Sequence, residues 1–142
     1  DQKLMQSQVP QLILQPILEN AVVHGVELVK SGVIKLKVYR DQDNVILQIV
    51  NTGKTMTGED IERVQVILDG DYESIATGKG KHVSLGIRNV NERIKLIYGE
   101  EYGLTILPTK NGETASTIRI PYERKDDTEK EKLLKNLLNK LQ

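Results

Sequence analysis

Two polar side chains stand one helical turn apart in the segment Leu14–Gly25, which reads LQPILENAVVHG. In a helix, this spacing places the amide of Asn20 and the imidazole of His24 on one side, where both can hydrogen bond to a ligand at the wall of a pocket. Asparagine is a mediocre helix former because its side chain competes for backbone hydrogen bonds, so its place in an apolar segment needs a reason. The simpler interpretation is that both side chains lie on the solvated flank of an amphipathic helix.

The apolar residues around this pair recur at helical spacing and predict a helix with one core-facing stripe. The stripe consists of Leu14, Ile17, Leu18, Ala21 and Val22. After it, Val33–Arg40 and Val45–Asn51 alternate apolar and polar residues on either side of a polar turn, which predicts a β-hairpin. In the first strand we expect one covered face and one exposed, lysine-bearing face. The covered face is formed by Ile34, Leu36 and Val38, and the exposed face carries Lys35 and Lys37.

The rest of the chain predicts two more helices and two more strands. The helices are expected from Gly58 to about Leu68 and over Ser84–Tyr98, and the strands over Tyr102–Leu107 and Ala115–Tyr122. Between the helices, residues 72–84 have almost no apolar periodicity and predict a long loop, which in a compact domain is often functional. The order of elements predicts an α+β fold of two layers, with helices on one face of a mixed, mainly antiparallel sheet.

Length and charge restrict the class of protein. The chain has 142 residues, the size of one ordinary domain, and its 20 basic and 20 acidic residues cancel. Because the net charge is zero, no overall positive potential attracts nucleic acid or an anionic membrane. An anionic ligand must therefore be bound by a local group of residues. The absence of cysteine excludes disulfides and thiolate chemistry.

Composition also divides the chain into two parts. Residues 1–124 are expected to form the domain. Residues 125–142 are charge-rich and carry a leucine stripe at helical spacing, which predicts an amphipathic helical extension. Because so short a helix is marginal by itself in water, we expect it to dock either on its own domain or on another protein.

Three short glycine-bearing segments follow the first helix in order. Val50–Met56 reads VNTGKTM, Ser84–Val90 reads SLGIRNV, and Gly112–Thr114 reads GET. Each of them alone is typical of a backbone turn. Together with LQPILENAVVHG, they resemble the catalytic ATP-binding domain of bacterial sensor histidine kinases, which has the Bergerat ATP-binding fold. The resemblance is strongest to the LytS and YesM-like sensors and covers Val9–Tyr122.

This resemblance implies roles for four polar residues. Asn20 matches the asparagine whose side-chain oxygen binds the magnesium carried by ATP, and an amide oxygen suits such a hard cation. His24 matches a position near the phosphates, although an ordinary surface histidine is the alternative. Glu19 is a further catalytic candidate, which would orient a water or the metal shell unless it is simply solvated. Asn51 stands where an aspartate usually accepts a hydrogen bond from the adenine amino group, so we expect weaker or less adenine-selective binding by the uncharged amide.

The resemblance also implies roles for residues of the glycine-bearing segments and of the long loop. Gly53 matches a glycine needed for a tight turn near the base, whereas Thr55 replaces a second glycine and predicts a stiffer or differently shaped hinge. Residues 72–84 correspond to the ATP lid, in which Lys79 and Lys81 would reach the phosphates or else stay solvated. The other nucleotide-binding residues that the resemblance implies are Met56, Ser84, Leu85, Gly86 and Thr114. Ser84 replaces a frequent glycine there, and the backbone amides near Gly86 would face the phosphates.

Position 16 bears on the mechanism. Hydrolytic members of the superfamily, which includes gyrase and MutL, commonly carry a glutamate four residues before the magnesium asparagine. Here that residue is Pro16, which cannot act as a general base. Histidine kinases of this group need no base at this position, because their nucleophile is an imidazole on a separate dimerisation domain. Neither His24 nor His82 has the surroundings of a phosphoacceptor, so we expect the acceptor outside this chain.

The function implied by the resemblance is that of an ATP-dependent protein histidine kinase fragment. It would transfer the γ-phosphoryl group of magnesium ATP to a histidine on its phosphoacceptor and dimerisation domain, with a response regulator downstream and no nucleic acid involved. We expect a cytoplasmic domain of a membrane-bound, homodimeric bacterial sensor. Two alternatives stay open. One is a serine kinase of the anti-sigma-factor type, against which Pro16 argues, and the other is a non-catalytic, nucleotide-gated interaction module.

Overall fold

The computed structural model describes residues 4, 9, 10, 12–70 and 81–122, with only the backbone for residues 28 and 81–84. The predicted extension 125–142 and Lys79 of the predicted lid lie outside these residues. The helices are α1 (Leu14–His24), α2 (Gly58–Leu68) and α3 (Lys81–Tyr98), with a 3₁₀ turn at Val26–Leu28 after α1. The strands are β1 (Ile34–Asp41), β2 (Asn44–Asn51), β3 (Gly103–Pro108) and β4 (Thr114–Pro121).

The four strands form one sheet in the order β1-β2-β4-β3, and every described pairing is antiparallel. The chain passes from β2 to β3 through α2 and α3, and β4 inserts between these two strands. They therefore run in the same direction without pairing, as in a split βαβ unit. The predicted α+β fold with helices on one face of the sheet is confirmed, while the parallel pairing that a mixed sheet allows is not found among the described strands.

The core lies between the helices and the inner face of β2, β3 and β4. Its fully buried side chains include Ile17 of α1, Ile94 of α3 and Ile120 of β4, each 0% exposed. The isoleucines and valines that alternate along these strands pack against the apolar stripes of the helices, as the spacing predicts. None of the helices within the described ranges is long and apolar enough to span a bilayer.

The first strand departs from the prediction. Leu36 and Val38 point to the helix side of the sheet, since they lie directly opposite the buried residues Ile49 and Leu47 of β2. They are nevertheless 50% and 46% exposed. The expectation of a covered face was wrong for these residues in the described part of the chain, because the described helices pack mainly on β2, β3 and β4.

The third helix also differs from the prediction, because it begins at Lys81 and not at Ser84. Gly80 is the last helix-breaking residue before it, and nothing in residues 81–84 opposes helical geometry. Lys81 therefore belongs to the backbone of α3 and not to a loop.

Asn91 connects three elements from the buried side of α3, where it is 3% exposed. Its Nδ2 donates to the carbonyl oxygen of Leu68 at the end of α2, at 3.0 Å. Its Oδ1 accepts a 2.8 Å hydrogen bond from the N–H of Leu104 in β3. The approach is so close that a Cβ at Gly103 would lie 2.6 Å from Oδ1, and Gly103 also has a φ of +150°. Asn91 thus fixes the position of α3 relative to α2 and the sheet.

Replacing Asn91 with alanine should lower the free energy of unfolding by about 2–4 kcal/mol, because a buried carbonyl and a buried N–H lose their partners. Asn89→Ala on the exposed side of the same helix is the matched control and should change the free energy of unfolding by less than about 0.5 kcal/mol. Urea denaturation of the two variants and the parent chain measures the difference. Equal stability of the two variants would contradict this role of Asn91.

Candidate functional site

A cavity of about 230 Å³ opens between α1, α2 and the strand ends of the sheet. Five residues predicted from the sequence line it, although they come from three separate segments of the chain. They are Asn20, His24, Asn51, Met56 and Thr114. Asn20 is half-buried, and His24 is exposed one helical turn further along α1. The fold therefore brings the amide and the imidazole to one cavity wall, as their spacing predicts.

The side-chain oxygen of Asn51 is the atom of the cavity that says most about a ligand. It ends β2 and is 2% exposed, and its Nδ2 donates to the carbonyl oxygen of Thr52 at 3.2 Å. Its Oδ1 is buried and has no hydrogen-bond partner among the described residues. A buried acceptor without a donor costs about 1–3 kcal/mol, and a ligand that supplies an N–H or O–H here would remove that cost.

Two glycines determine how closely Asn51 approaches α1. Gly25 ends α1, and a Cβ there would overlap Nδ2 of Asn51 and the carbonyl oxygen of Ala21. A Cβ at Gly53 would lie 2.8 Å from Cα and 2.9 Å from the carbonyl oxygen of Gly25. The loop after β2 therefore packs backbone to backbone against the end of α1. Gly53 itself does not line the cavity, and it is required here for this contact.

Thr55 stands in place of a second glycine and makes a contact that glycine cannot make. Its Oγ1 donates to the carbonyl oxygen of Gly112 at 3.1 Å. Gly112 lies in the turn between β3 and β4 with a φ of +78°, two residues before Thr114. The hydroxyl thus connects the loop after β2 with the turn that leads into the cavity-lining end of β4, and the φ of Thr55 is not positive. A stiffer hinge, as the sequence predicts, is consistent with this bond.

Seven residues of the cavity were not predicted from the sequence. Four of them are apolar, namely Val64, Ile67, Ile87 and Ile106. They belong to stripes that the helical and strand periodicity already identified as core, so nothing in the sequence distinguished them from buried core residues. The other three are Lys54, Asp60 and Arg63 near its mouth. A signal for Asp60 was available, since the pattern Thr57-x-x-Asp60 before an apolar run is typical of a helix N-terminus.

A capping box at the start of α2 holds Asp60 in place. Oδ2 of Asp60 accepts hydrogen bonds from the N–H and the Oγ1 of Thr57, at 2.9 and 2.8 Å, and Thr57 Oγ1 in turn accepts from the N–H of Asp60 at 3.2 Å. These hydrogen bonds lower the pKa of the Asp60 carboxyl, with a smaller contribution from Lys54 and Arg63. Asp60 therefore stays ionised while it orients the first turn of α2 beside the cavity.

Among the described side chains, the other predicted site residues do not line the cavity. Glu19 is exposed and accepts a 2.9 Å hydrogen bond from Nε2 of Gln15 on the surface of α1, so the geometry does not place it on a metal shell. Leu85 is 40% exposed. Only the backbone of Lys81 and Ser84 is described, and it is helical.

Gly86 has a packing role between α3 and α1. A Cβ at this position would lie 3.2 Å from Cβ of Pro16, which is tighter than ordinary van der Waals contact. Pro16 therefore packs against the backbone of α3 one turn before Asn20. This contact sets the distance between the helix that carries Asn20 and the helix that follows the predicted lid.

The close approach of Gly53 and Gly25 generates a stability prediction. Gly53→Ala should lower the free energy of unfolding by about 1–3 kcal/mol, because the new methyl group has no space against Gly25. Gly58→Ala at the start of α2 is the matched control, since nothing lies within 4 Å of a Cβ there. We expect it to be neutral or slightly stabilising. Thermal denaturation compares the two, and a harmless Gly53→Ala would show that the loop after β2 does not depend on this contact.

The capping box generates a pH prediction. A folded-state pKa below the usual value of 3.8 means that Asp60 stabilises the fold above this pH, and that the contribution disappears as the pH falls through the folded-state pKa. Asp60→Asn should therefore be less stable than the parent chain at pH 6, and the difference should shrink below pH 4. Glu59→Gln, which removes an exposed acid from the same helical turn, controls for the loss of charge. A difference that does not change with pH would contradict this role of Asp60.

Comparison with known proteins agrees with this geometry. A family model described as histidine kinase-, DNA gyrase B- and HSP90-like ATPase matches residues 6–124. Sensor histidine kinase YpdA of Escherichia coli K12 is 33% identical over 117 residues, which cover 82% of this chain and 18% of that protein. Sensor histidine kinase YesM of Bacillus subtilis 168 is 28% identical over 122 residues, covering 85% of this chain and 18% of that protein. Sensor protein LytS of Oceanobacillus iheyensis is 26% identical over 123 residues, which cover 86% of this chain and 20% of that protein.

The same fold occurs in a solved structure. The nucleotide-free catalytic domain of histidine kinase ThkA superposes with a TM-score of 0.55 at 18% identity, over 82% of this chain and 70% of that chain. The chain spans about a fifth of the length of the sensor kinases it matches. It belongs to the family of histidine kinase-, DNA gyrase B- and HSP90-like ATPases, and the resemblance of its motifs to sensor histidine kinases of the LytS and YesM-like group is confirmed.

Proposed function

We propose that this chain binds magnesium ATP in the cavity between α1 and α2 and offers the γ-phosphoryl group to a histidine on a separate phosphoacceptor and dimerisation domain. Its family supports an ATP-binding catalytic domain. The lining of the cavity supports the same ligand, because its apolar and polar side chains match a nucleotide with a flat base and a charged phosphate chain.

The observation that carries the proposal is the unpartnered Oδ1 of Asn51. In the proposed complex this oxygen accepts a hydrogen bond from the 6-amino group of adenine, while Met56, Val64 and Ile106 contact the ring. Nδ2 is already engaged with the carbonyl oxygen of Thr52, so the group presented to the base is an acceptor. Guanine has a carbonyl oxygen at that position and would face the acceptor unfavourably.

Asn20 is the proposed magnesium-side residue. Its half-buried amide lines the cavity, and a neutral amide oxygen suits Mg²⁺, which takes most of its charge compensation from phosphates. When bound, the ion would neutralise charge on the β- and γ-phosphates during transfer. His24 lies one turn beyond Asn20 on the same wall and is proposed to contact the phosphate chain. Within the described ranges, no group of three or more histidine, cysteine or acidic residues is arranged to hold a metal ion.

Pro16 supports transfer over hydrolysis. Its ring packs against Gly86, so this position provides a helix contact and no proton acceptor. A site of this kind positions the phosphoryl group and leaves the nucleophile to another domain, since phosphoryl transfer depends chiefly on positioning and charge neutralisation. Gly53, Lys79, Lys81, Ser84, Leu85 and Gly86 stay proposed contributors to nucleotide binding, and Glu19 stays the least supported of the proposed residues.

The partners and location follow from the same proposal. The chain would act together with its own dimerisation domain and a response regulator, within a membrane-bound homodimeric sensor whose kinase domain is cytoplasmic. The sensor kinases that resemble it are five or more times longer than the matched region, which leaves room for such domains in proteins of this kind.

Calorimetry and phosphotransfer test the proposal together. The chain should bind ATP more tightly with magnesium than with EDTA, and Asn20→Ala should remove this difference, because it removes the proposed magnesium ligand. Asn89→Ala, an exposed asparagine outside the cavity, should leave it unchanged. With radiolabelled ATP the isolated chain should not label itself, and an added dimerisation domain of a related kinase should be labelled on histidine by the parent chain but not by Asn20→Ala.

Three outcomes would overturn the proposal. Strong self-phosphorylation of the isolated chain would place the acceptor within it. Labelling of a protein substrate on serine would favour the anti-sigma-factor type of kinase. Failure to bind ATP with or without magnesium would favour a non-catalytic interaction module.

A further inference from the structure

Three polar side chains are buried in the part of the chain that the structure describes, and two of them have an unpaired oxygen. They are Asn51, Asn91 and Ser116, which are 2%, 3% and 1% exposed. Asn91 uses both ends of its amide in hydrogen bonds to other elements. Oδ1 of Asn51 and Oγ of Ser116 have no hydrogen-bond partner among the described residues. Because burying a hydroxyl without a partner costs free energy, the serine at this position needs an explanation.

The two unpaired oxygens belong to neighbouring positions on the helix side of the sheet. In the antiparallel pair of β2 and β4, Asn51 lies opposite Thr114, and Ile49 lies opposite Ser116. Asn51 and Ser116 are therefore diagonal neighbours on one face, with Cα atoms about 7–8 Å apart. Thr114 lines the nucleotide cavity, and so does Ile106, the partner of Ser116 in β3. Ser116 thus adjoins the cavity lining on two sides without being part of it.

One water molecule has the size and the hydrogen-bonding groups to join these two oxygens. Oδ1 of Asn51 can only accept, whereas the hydroxyl of Ser116 can donate. A water between them accepts a hydrogen bond from the hydroxyl and donates one to Oδ1. Two such bonds of about 2.8 Å connect oxygens up to about 5.6 Å apart, which is within the reach of side chains on diagonal neighbours. Buried waters are typically held by polar groups that otherwise have no partner.

The orientation of the Asn51 amide determines what it offers to a ligand. A carboxylate presents an acceptor from either oxygen, but an amide has an acceptor at one end and a donor at the other. Rotation by half a turn would point Nδ2 of Asn51 at the ligand and reverse its preference. The carbonyl oxygen of Thr52 holds the nitrogen end by one hydrogen bond of 3.2 Å. A second hydrogen bond at the oxygen end would oppose this rotation.

We infer that Ser116 and Asn51 hold one buried water, through which Ser116 acts as a positioning residue for the recognition of adenine. An amide oxygen has two lone pairs, so Oδ1 accepts one hydrogen bond from the water and keeps the other lone pair for the 6-amino group of the base. The water keeps the acceptor end of Asn51 turned towards the cavity. This positioning role rests on the proposed binding of ATP, whereas the water site itself exists in the free chain.

Two variants at position 116 test the positioning role. Threonine keeps the hydroxyl and valine lacks it at nearly the same shape, so Ser116→Thr and Ser116→Val differ chiefly in hydrogen bonding. Calorimetry compares their affinities for ATP and for purine riboside triphosphate, which lacks the 6-amino group. The parent chain and Ser116→Thr should prefer ATP about tenfold, and Ser116→Val should prefer it less than about threefold. A purely structural role would weaken both nucleotides alike and leave this ratio unchanged.

The neighbouring residue of β4 provides the matched control. Thr117 lies on the opposite face of the strand, where its Oγ1 accepts a hydrogen bond from Nε2 of Gln48 at 3.2 Å. Thr117→Val removes this hydroxyl outside the cavity and should keep the tenfold preference for ATP. If the larger valine at position 116 prevents folding, Ser116→Ala removes the hydroxyl without adding volume and should show the same loss of preference.

Crystallography of the free chain tests the water separately from nucleotide binding. At a resolution that shows ordered waters, the parent chain and Ser116→Thr should hold one water within about 3.2 Å of both oxygens, and Ser116→Val should hold none there. The absence of this water from the parent chain would overturn the inference, and so would an equal preference for ATP in the threonine and valine variants. A parent chain that holds the water but binds both nucleotides equally would refute the proposed adenine contact and the positioning role, while the water site would stand.

Discussion

The site depends on the contact between Gly25 and Gly53, where the backbone at the end of α1 meets the backbone after β2. Neither position has space for a Cβ, so a side chain at either one would separate the helix from the loop. The contact buries Asn51 and brings it to the same cavity as Asn20 and His24. Because the two glycines are 28 residues apart with a hairpin between them, the site exists only when the sheet and α1 are both in place.

Three further short contacts fix the positions of the helices and loops around the cavity. Asn91 connects α3 to α2 and β3, Pro16 spaces α1 from α3 at Gly86, and Thr55 connects the loop after β2 to the turn at Gly112. Each is a hydrogen bond or close packing contact between elements of the fold, and the cavity itself carries the exposed charges of Lys54 and Arg63. A cavity lined by both apolar and charged side chains suits a ligand that is recognised at an apolar ring and reacts at its charged end.

Sequence reasoning predicted the helices and strands well, because the apolar periods of 3.6 and 2 residues are strong over most of the chain. It also predicted Asn20, His24, Asn51, Met56 and Thr114, which the structure brings to one cavity. It did not predict the exposure of Leu36 and Val38, since alternation shows which residues share a face but not whether a helix covers that face. Arg63 was missed because its place at the cavity mouth depends on how α2 packs. The packing roles of Gly25 and Gly86 are likewise tertiary contacts without a local signal.

In the proposed complex, Oδ1 of Asn51 accepts a hydrogen bond from the 6-amino group of adenine. Comparing the affinities of two nucleotides tests this assignment directly. Purine riboside triphosphate differs from ATP only in lacking the 6-amino group. Calorimetry with magnesium should show ATP binding about tenfold more tightly to the parent chain, as expected for one hydrogen bond to a buried acceptor. Asn51→Leu should bind the two nucleotides equally. Equal affinities in the parent chain, or a preference for ATP that survives in Asn51→Leu, would contradict the assignment.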